Sequence, residues 1–405
     1  MSSFGSYNYC RIFKTQGEYM KQARRLDNTP PYLFVEIEEN IKKALSKGVD
    51  VINLGIGDPD IPTPKFVVDK MIQAVRTPQY QRYPEYDGCI EFREAVAGYY
   101  QRRFNVKLDP ETEVIALLGS KEGIAHIFFA LVNDCDFTLV PDPQYPVYQM
   151  ASALTGGVPF PMPLKRENGF LPDLSVIPRE VIKRSKILFI NYPNNPTGKV
   201  ADLNFYQEVV NFGLRNNIIV CNDNAYSEFT YDGLGAPSIL QAKDAMKTAV
   251  EFHSLSKSYN MTGWRIGYAV GNKEAISKLK KMKNNIDSGV FTAIQMAGIE
   301  ALNKGDGFIQ KMRTVYLKRR SLAIEGLKEV GWDFDTPEGA FYVWIKVPAG
   351  FSSKSFAAFL LEKTGVVVAP GSGYGDYGEG YFRISLTIAN DRLAEAFNRL
   401  KELKF

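Results

Sequence analysis

The chain has 405 residues, 45% of them hydrophobic and 23% charged, with a formal net charge of +4. That is the composition of a globular chain long enough for two or three domains, with a core that needs no staples. So small a positive excess does not argue for a nucleic-acid partner.

Single residue types exclude more. Cys10, Cys89, Cys135 and Cys221 are scattered without a CxxC pair, so free thiols in a reducing compartment are expected. His126 and His253 are the only histidines, which leaves little basis for a His-rich metal site, and no metal is expected. No apolar run reaches the roughly 18 residues that span a bilayer, and residues 1–23 lack the apolar core of a signal peptide. The expectation is a cytoplasmic protein with no membrane partner, or a plastid one if the source has plastids.

Met1 to Met20 is aromatic and polar without periodicity, and reads as an arm ordered by a partner. Pro30-Pro31 stops any helix before it. Phe34, Ile37, Ile41, Ala44 and Leu45 then recur at helical spacing, and Gly48 ends that helix. Val51 to Leu54 predicts a short strand that empties into the turn-rich loop Gly55 to Asp60. Glycines in such a loop let backbone N–H groups approach a ligand, or simply make a turn. Helices are predicted over Phe66 to Val75 and Glu91 to Phe104, with the tyrosine-rich loop Tyr80 to Gly88 between them.

From Val114 the pattern becomes strand, helix, strand, helix. Strands are predicted at Val114 to Leu118, Phe137 to Val140, Ile187 to Asn191 and Ile218 to Asn222. Helices fall at Glu122 to Val132, near Val147 to Leu154, and at Leu203 to Arg215. The uninterrupted apolar runs Ile187 to Ile190 and Ile218 to Cys221 suit a mostly parallel sheet covered by helices on both faces. Ligands on such α/β sheets bind at the carboxyl ends of strands. Helical patterns follow at Glu274 to Asn284, Val290 to Lys304 and Gly307 to Val330. Beyond Gly331 a smaller α+β unit is predicted, with strands at Phe341 to Val347 and Val366 to Val368, and helices at Ser355 to Lys363 and Asp391 to Lys404. The expected division is an N-terminal arm and part of a small domain over 1–65, a large domain over 66–305, and the rest of the small domain over 306–405.

The most informative stretch is Ser254 to Gly267. Two apolar runs flank a polar loop in which Lys257 stands among hydroxyls, with Arg265 just beyond. A partly desolvated lysine amine attacks aldehydes. Hydroxyls and an arginine fork suit a phosphate monoester. Together they suit pyridoxal phosphate. Asp223, closing a strand in Asn222 to Tyr226, could keep the pyridine nitrogen protonated, and Tyr226 or Asn195 could donate to the phenolic oxygen. Tyr145 offers a ring face, Gly119-Ser120-Lys121 offers N–H groups at a helix start, and Arg383 offers a fork for a carboxylate. Each also has an ordinary reading: Asp223 as a cap, Asn195 to Gly198 as a turn, Arg383 as half of an ion pair.

The ordered set Asn195-Pro196-Thr197-Gly198, Asp223-x-x-Tyr226, Ser254-x-Ser256-Lys257 with Arg265, and the late Arg383 resembles the fold-type I pyridoxal phosphate aminotransferases. The resemblance covers about residue 24 to the end. Within that group the strings Pro30 to Phe34, Leu54 to Asp60, Gly119 to His126 and Asn285 to Phe291 are most similar to the bacterial-type LL-diaminopimelate aminotransferases. The resemblance implies that Lys257 holds the cofactor and shuttles protons, that Asp223 faces the pyridine nitrogen, and that Tyr226 and Asn195 serve the phenolic oxygen. It implies a phosphate site of Ser120, Lys121, Ser254, Ser256 and Arg265, with Tyr145 stacked on the ring. It further implies a homodimer in which Tyr83 reaches the partner's cofactor, with amino acids and 2-oxo acids as substrates. Gly57, Asn195 and Arg383 would meet the substrate's α-carboxylate end. Tyr32 and Tyr86 would lie toward its far end. Some members carry a glutamate at the position of Tyr86, aimed at a distal amino group. Here Tyr86 is flanked by Glu85 and Asp87 instead, which leaves the donor open between LL-diaminopimelate and alanine, aspartate or an aromatic amino acid.

Overall fold

The computed structural model describes residues 22–27 and 33–403. Twelve strands occur among them in chain order: β1 (Ile52–Asn53), β2 (Val114–Leu117), β3 (Phe137–Asp142), β4 (Val158–Pro163), β5 (Ser185–Ile190) and β6 (Ile219–Asp223), then β7 (Ala249–Ser254), β8 (Gly267–Gly271), β9 (Tyr342–Lys346), β10 (Val366–Val367), β11 (Ala369–Pro370) and β12 (Tyr381–Ser385).

Seven of these form the central sheet, in the order β2-β8-β7-β6-β5-β3-β4. All neighbours run parallel except β8, which is antiparallel to β2 and to β7. The apolar strands serve two cores at once. Ile187, Phe189, Cys221 and Phe252 pack on one face, where Phe128 stacks on Phe189 at 5.3 Å. Leu188, Ile190 and Val220 pack on the other, against Val209 and Val210 of the helix Leu203–Asn216. This two-faced burial explains why the strands are apolar without alternation. The helix itself starts where Asp202 accepts from the Phe205 N–H at 2.8 Å, and stops at Asn217 with φ +53°.

The expected elements are present, with bounds displaced by one or a few residues. Strand β4 was not expected, because prolines are depleted in strands. Its Pro159, Pro161 and Pro163 recur every second residue, and β4 ends the sheet. Val158 donates to Asp136 and Leu164 to Asp142, so the even positions face β3 and the missing N–H groups fall on the open edge. The run Tyr381 to Leu386, for which no element is predicted above, contains β12. It lies between β11 and β9 in a three-stranded antiparallel sheet. A separate core gathers around it, including Phe356, Leu360, Phe382 and Phe397. The N-terminal strand β1 pairs in parallel with β10 of that region.

The three described cysteines, Cys89, Cys135 and Cys221, are free. No described helix is long and apolar enough to cross a membrane.

Candidate active site

Five strand ends deliver the site. Strand β6 closes on Asp223, β5 runs into Asn191, β7 closes on Ser254 and leads into the short helix Leu255–Ser258 that carries Lys257. Strand β3 leads to Tyr145, and β2 leads through Gly119 to the helix Ser120–Leu131. These ends share one cavity of about 210 Å³, to which Gly57, Tyr226 and Arg383 are also exposed.

Lys257 is half-buried, and its Nζ donates to the Gly57 carbonyl at 2.9 Å. Asp223 is buried. The Tyr148 hydroxyl donates to its Oδ2 at 2.8 Å, while Oδ1 has no hydrogen-bond partner among the described residues. Burial raises the Asp223 carboxyl to about 6, against the lowering pull of Tyr148, the Ala225 N–H and Lys257. The Tyr226 hydroxyl lies 3.0 Å from that of Tyr342, and burial pushes it well above the ordinary tyrosine range. Arg383 is buried as well. Its two terminal nitrogens donate to Asn195 Oδ1 at 2.8 Å and to the Gly55 carbonyl at 2.6 Å. A carboxamide that spends its oxygen on Arg383 keeps its N–H groups for a ligand.

Beside the cavity, Gly119 adopts φ +81° under the Arg265 guanidinium, where a Cβ would overlap it. Arg265 itself has φ +55° and donates to the Thr262 carbonyl at 2.8 Å. The helix Ser120–Leu131 starts directly after Gly119, beside this guanidinium, and the N–H groups of a helix's first turn favour an anion.

Of the residues singled out in the sequence, Gly57, Ser120, Tyr145, Asn195, Asp223, Tyr226, Ser254, Lys257 and Arg383 line the cavity. Ser256 is buried next to Lys257, and Lys121 is exposed on the first turn after Ser120. Tyr83 and Tyr86 do not line it; they stand on the surface, 90% and 48% exposed. Tyr32 lies outside the described residues. Sequence reading missed Asn191, Tyr148 and Tyr342. Asn191 Nδ2 donates to the Asp223 carbonyl at 2.6 Å. Asn191 had a signal, as the polar residue ending a buried strand. Tyr148 and Tyr342 had none, since both sit in apolar stretches.

The Glu122, His126 and Asp287 side chains also converge, but Lys283 Nζ lies 2.8 Å from Asp287 and 3.6 Å from Glu122 and supplies the positive charge there.

These residues fit pyridoxal phosphate. The buried Asp223 Oδ1 waits for a donor such as a protonated ring nitrogen, Lys257 offers an amine to the same cavity, and the start of the helix Ser120–Leu131 with Arg265 offers an anion site.

Comparison with known proteins agrees. Residues 49–400 match the family model for aminotransferase class I and II. The LL-diaminopimelate aminotransferase of Moorella thermoacetica is 53% identical over 384 residues, 95% of this chain and 98% of that protein. The enzyme of the same name from Aquifex aeolicus is 52% identical over 380 residues, 94% of this chain and 98% of that one. Among solved structures, substrate-bound BacF from Bacillus subtilis superimposes with a TM-score of 0.92 at 35% identity, covering 95% of this chain and 98% of that chain. This chain belongs to the class I and II aminotransferases, enzymes of the fold-type I group that work with pyridoxal phosphate.

Proposed function

We propose that this aminotransferase moves an amino group from LL-2,6-diaminopimelate to 2-oxoglutarate, as lysine biosynthesis requires. The observation that carries the reading is the similarity to relatives named for that activity, at 53%, 50%, 52% and 50% identity over nearly the whole chain.

Bound pyridoxal phosphate supplies an aldehyde and a ring that draws electrons from the substrate's α-carbon. In this reading Lys257 anchors the cofactor, and its Nζ takes the proton from the α-carbon. Asp223 holds a proton on the ring nitrogen through its unpartnered oxygen. Tyr226 and Asn195 donate to the phenolic oxygen. Ser120, Lys121, Ser254, Ser256 and Arg265 hold the phosphate, and Tyr145 covers the ring. Arg383 takes the α-carboxylate by a two-bond fork beside the Gly57 backbone. Tyr32 and Tyr86 are assigned to the far end of the donor.

We also infer a cytoplasmic homodimer, with Tyr83 reaching the partner's phosphate site. The support is a surface of large apolar side chains, Tyr83, Tyr86, Ile286 and Phe291, of the kind that interfaces bury. Residues 66–305 form the cofactor-binding domain in this scheme, and 306–405 form the smaller domain with part of 1–65. The pairing of β1 with β10 favours that division.

The purified protein, loaded with pyridoxal phosphate, is expected to form glutamate from 2-oxoglutarate when LL-diaminopimelate is supplied, while Lys257→Ala forms none. Equal glutamate from both proteins, or none from the parent, would overturn the proposal.

A further inference from the structure

We propose that Tyr342 is a positioning residue that couples the grip on the substrate's α-carboxylate to the hydrogen bond on the cofactor's phenolic oxygen. The inference rests on the roles proposed above for Arg383 and Tyr226.

Tyr342 opens β9, where its backbone pairs with Ser385 of β12, and Trp344 pairs with Arg383. Paired residues and their neighbours two positions away share a face, so Tyr342 and Arg383 are diagonal neighbours on one side of this small sheet. The side chains meet: the Arg383 guanidinium carbon lies 4.1 Å from the centre of the Tyr342 ring. That is a close cation–π contact in a desolvated place, where such contacts are strongest. At its other end the Tyr342 hydroxyl lies 3.0 Å from the Tyr226 hydroxyl. The ring edge also fills the space beside Gly57, where a Cβ would overlap the hydroxyl. One rigid side chain, 2% exposed, therefore touches three groups assigned to substrate or cofactor.

Counting protons gives the pair a direction. Each tyrosine hydroxyl has one proton to donate. Burial keeps Tyr226 protonated. If Tyr226 gives its proton to the phenolic oxygen, Tyr342 must be the donor between the two hydroxyls. A donor behind a donor polarises the front hydrogen bond and strengthens it. Tyr342 then favours the ionised phenolic oxygen while its ring fixes the plane of Arg383.

The test is a pH titration of the absorbance of the bound cofactor in the holoenzyme, alongside KM and kcat for the amino donor. Tyr342→Phe keeps the ring over Arg383 and removes the hydroxyl. It is expected to raise the pH of the spectral transition by about 0.5 unit, a net hydrogen bond's worth, with KM within about twofold of the parent. Tyr342→Leu removes both contacts and is expected to raise KM about tenfold as well. Tyr226→Phe is the reference, with a shift at least as large. If Tyr226→Phe shifts the transition and Tyr342→Phe leaves it in place, the coupling is wrong and the role of Tyr226 stands. If neither shifts, the role of Tyr226 fails and the coupling fails with it. If Tyr342→Phe raises KM as much as Tyr342→Leu, the hydroxyl serves the carboxylate site directly and the proposed division is overturned. Should Tyr342→Leu fail to fold by circular dichroism, Tyr342→Phe decides alone.

Discussion

The strand-end cavity and the tyrosine loop Tyr80 to Gly88 are built on opposite plans. In the cavity, residues far apart in the chain are buried or half-buried and bonded to one another. Lys257 meets the Gly57 carbonyl at 2.9 Å, Tyr148 meets Asp223 at 2.8 Å and Arg383 meets Asn195 at 2.8 Å. In the loop, the acids are tied within the chain: Asp87 lies 3.0 Å from Lys280 and Glu85 3.7 Å from Arg93. Tyr83 and Tyr86 stand out into solvent, 90% and 48% exposed, while Tyr80 packs against the core. The groups assigned to chemistry at the α-carbon are thus fixed by a single chain. Tyr83, assigned to the partner's site, and Tyr86, assigned to the far end of the donor, stand exposed on the single chain. Substitutions should separate the two regions accordingly.

The largest effect belongs to the cavity. Lys257→Ala is expected to lower kcat by about 10⁴-fold or more, because the anchoring amine and the base at the α-carbon go together. Circular dichroism and the melting temperature should stay near those of the parent, and turnover near normal would contradict the assignment. Asp223→Ala comes next. It removes the carboxylate assigned to the ring nitrogen and is expected to cost about 10²–10³-fold in kcat, on the scale of losing one preorganised electrostatic contact. Turnover within twofold of the parent would make Asp223 a structural strand end.

The loop should respond only in trans. Tyr83→Ala is expected to be weakly active through loss of a contact to the partner's site. Mixing it with Lys257→Ala, then dissociating and reassociating the subunits, should restore up to about a quarter of parental activity, since about half of the dimers are then mixed and each mixed dimer carries one intact site of two. No recovery would place Tyr83 outside the partner's site, and a monomer of full activity at micromolar concentration would remove the partner altogether.

The smallest effect concerns a clamp at the edge of the cavity region. Asp142, at the end of β3, accepts from the backbone N–H groups of Asp376 and Tyr377, both at 3.1 Å. The neighbouring Tyr374 ring lies 5.1 Å from the Arg383 guanidinium. Burial raises the Asp142 carboxyl from 3.8 to about 7, against the pull of those two N–H groups. A raised folded value means that the folded chain keeps a proton that the unfolded chain releases. The stability from this group is therefore complete below about pH 4 and is lost as pH rises through 7, on the order of a few kcal/mol. Asp142→Asn removes that titration. The melting temperature of the parent apoprotein minus that of Asp142→Asn should fall between pH 4 and 7, and a flat difference would contradict the account.

Where a residue's role follows from its type and its place at a strand end, the sequence was readable. Asp223 closes a buried strand, and Asn195 and Lys257 follow within a few residues of two others, where polar residues need a reason. Strand β4 was hidden because its three prolines weigh against a strand unless the open edge of the sheet is already known. Tyr342 and Tyr148 were hidden for the opposite reason. Each looks like core and is buried like core, and only the fold shows what its hydroxyl meets. The tyrosine loop was legible as aromatic excess, but what a second chain would add there is not a property of local pattern.

The most direct test of the central claim, that LL-diaminopimelate is the donor, is kcat/KM measured for four donors against 2-oxoglutarate: LL-diaminopimelate, aspartate, alanine and phenylalanine. A donor with a second amino acid group at its far end should lead the other three by on the order of tenfold or more, about 1.4 kcal/mol in the barrier. If aspartate or phenylalanine leads instead, the cavity has been assigned the right chemistry and the wrong substrate.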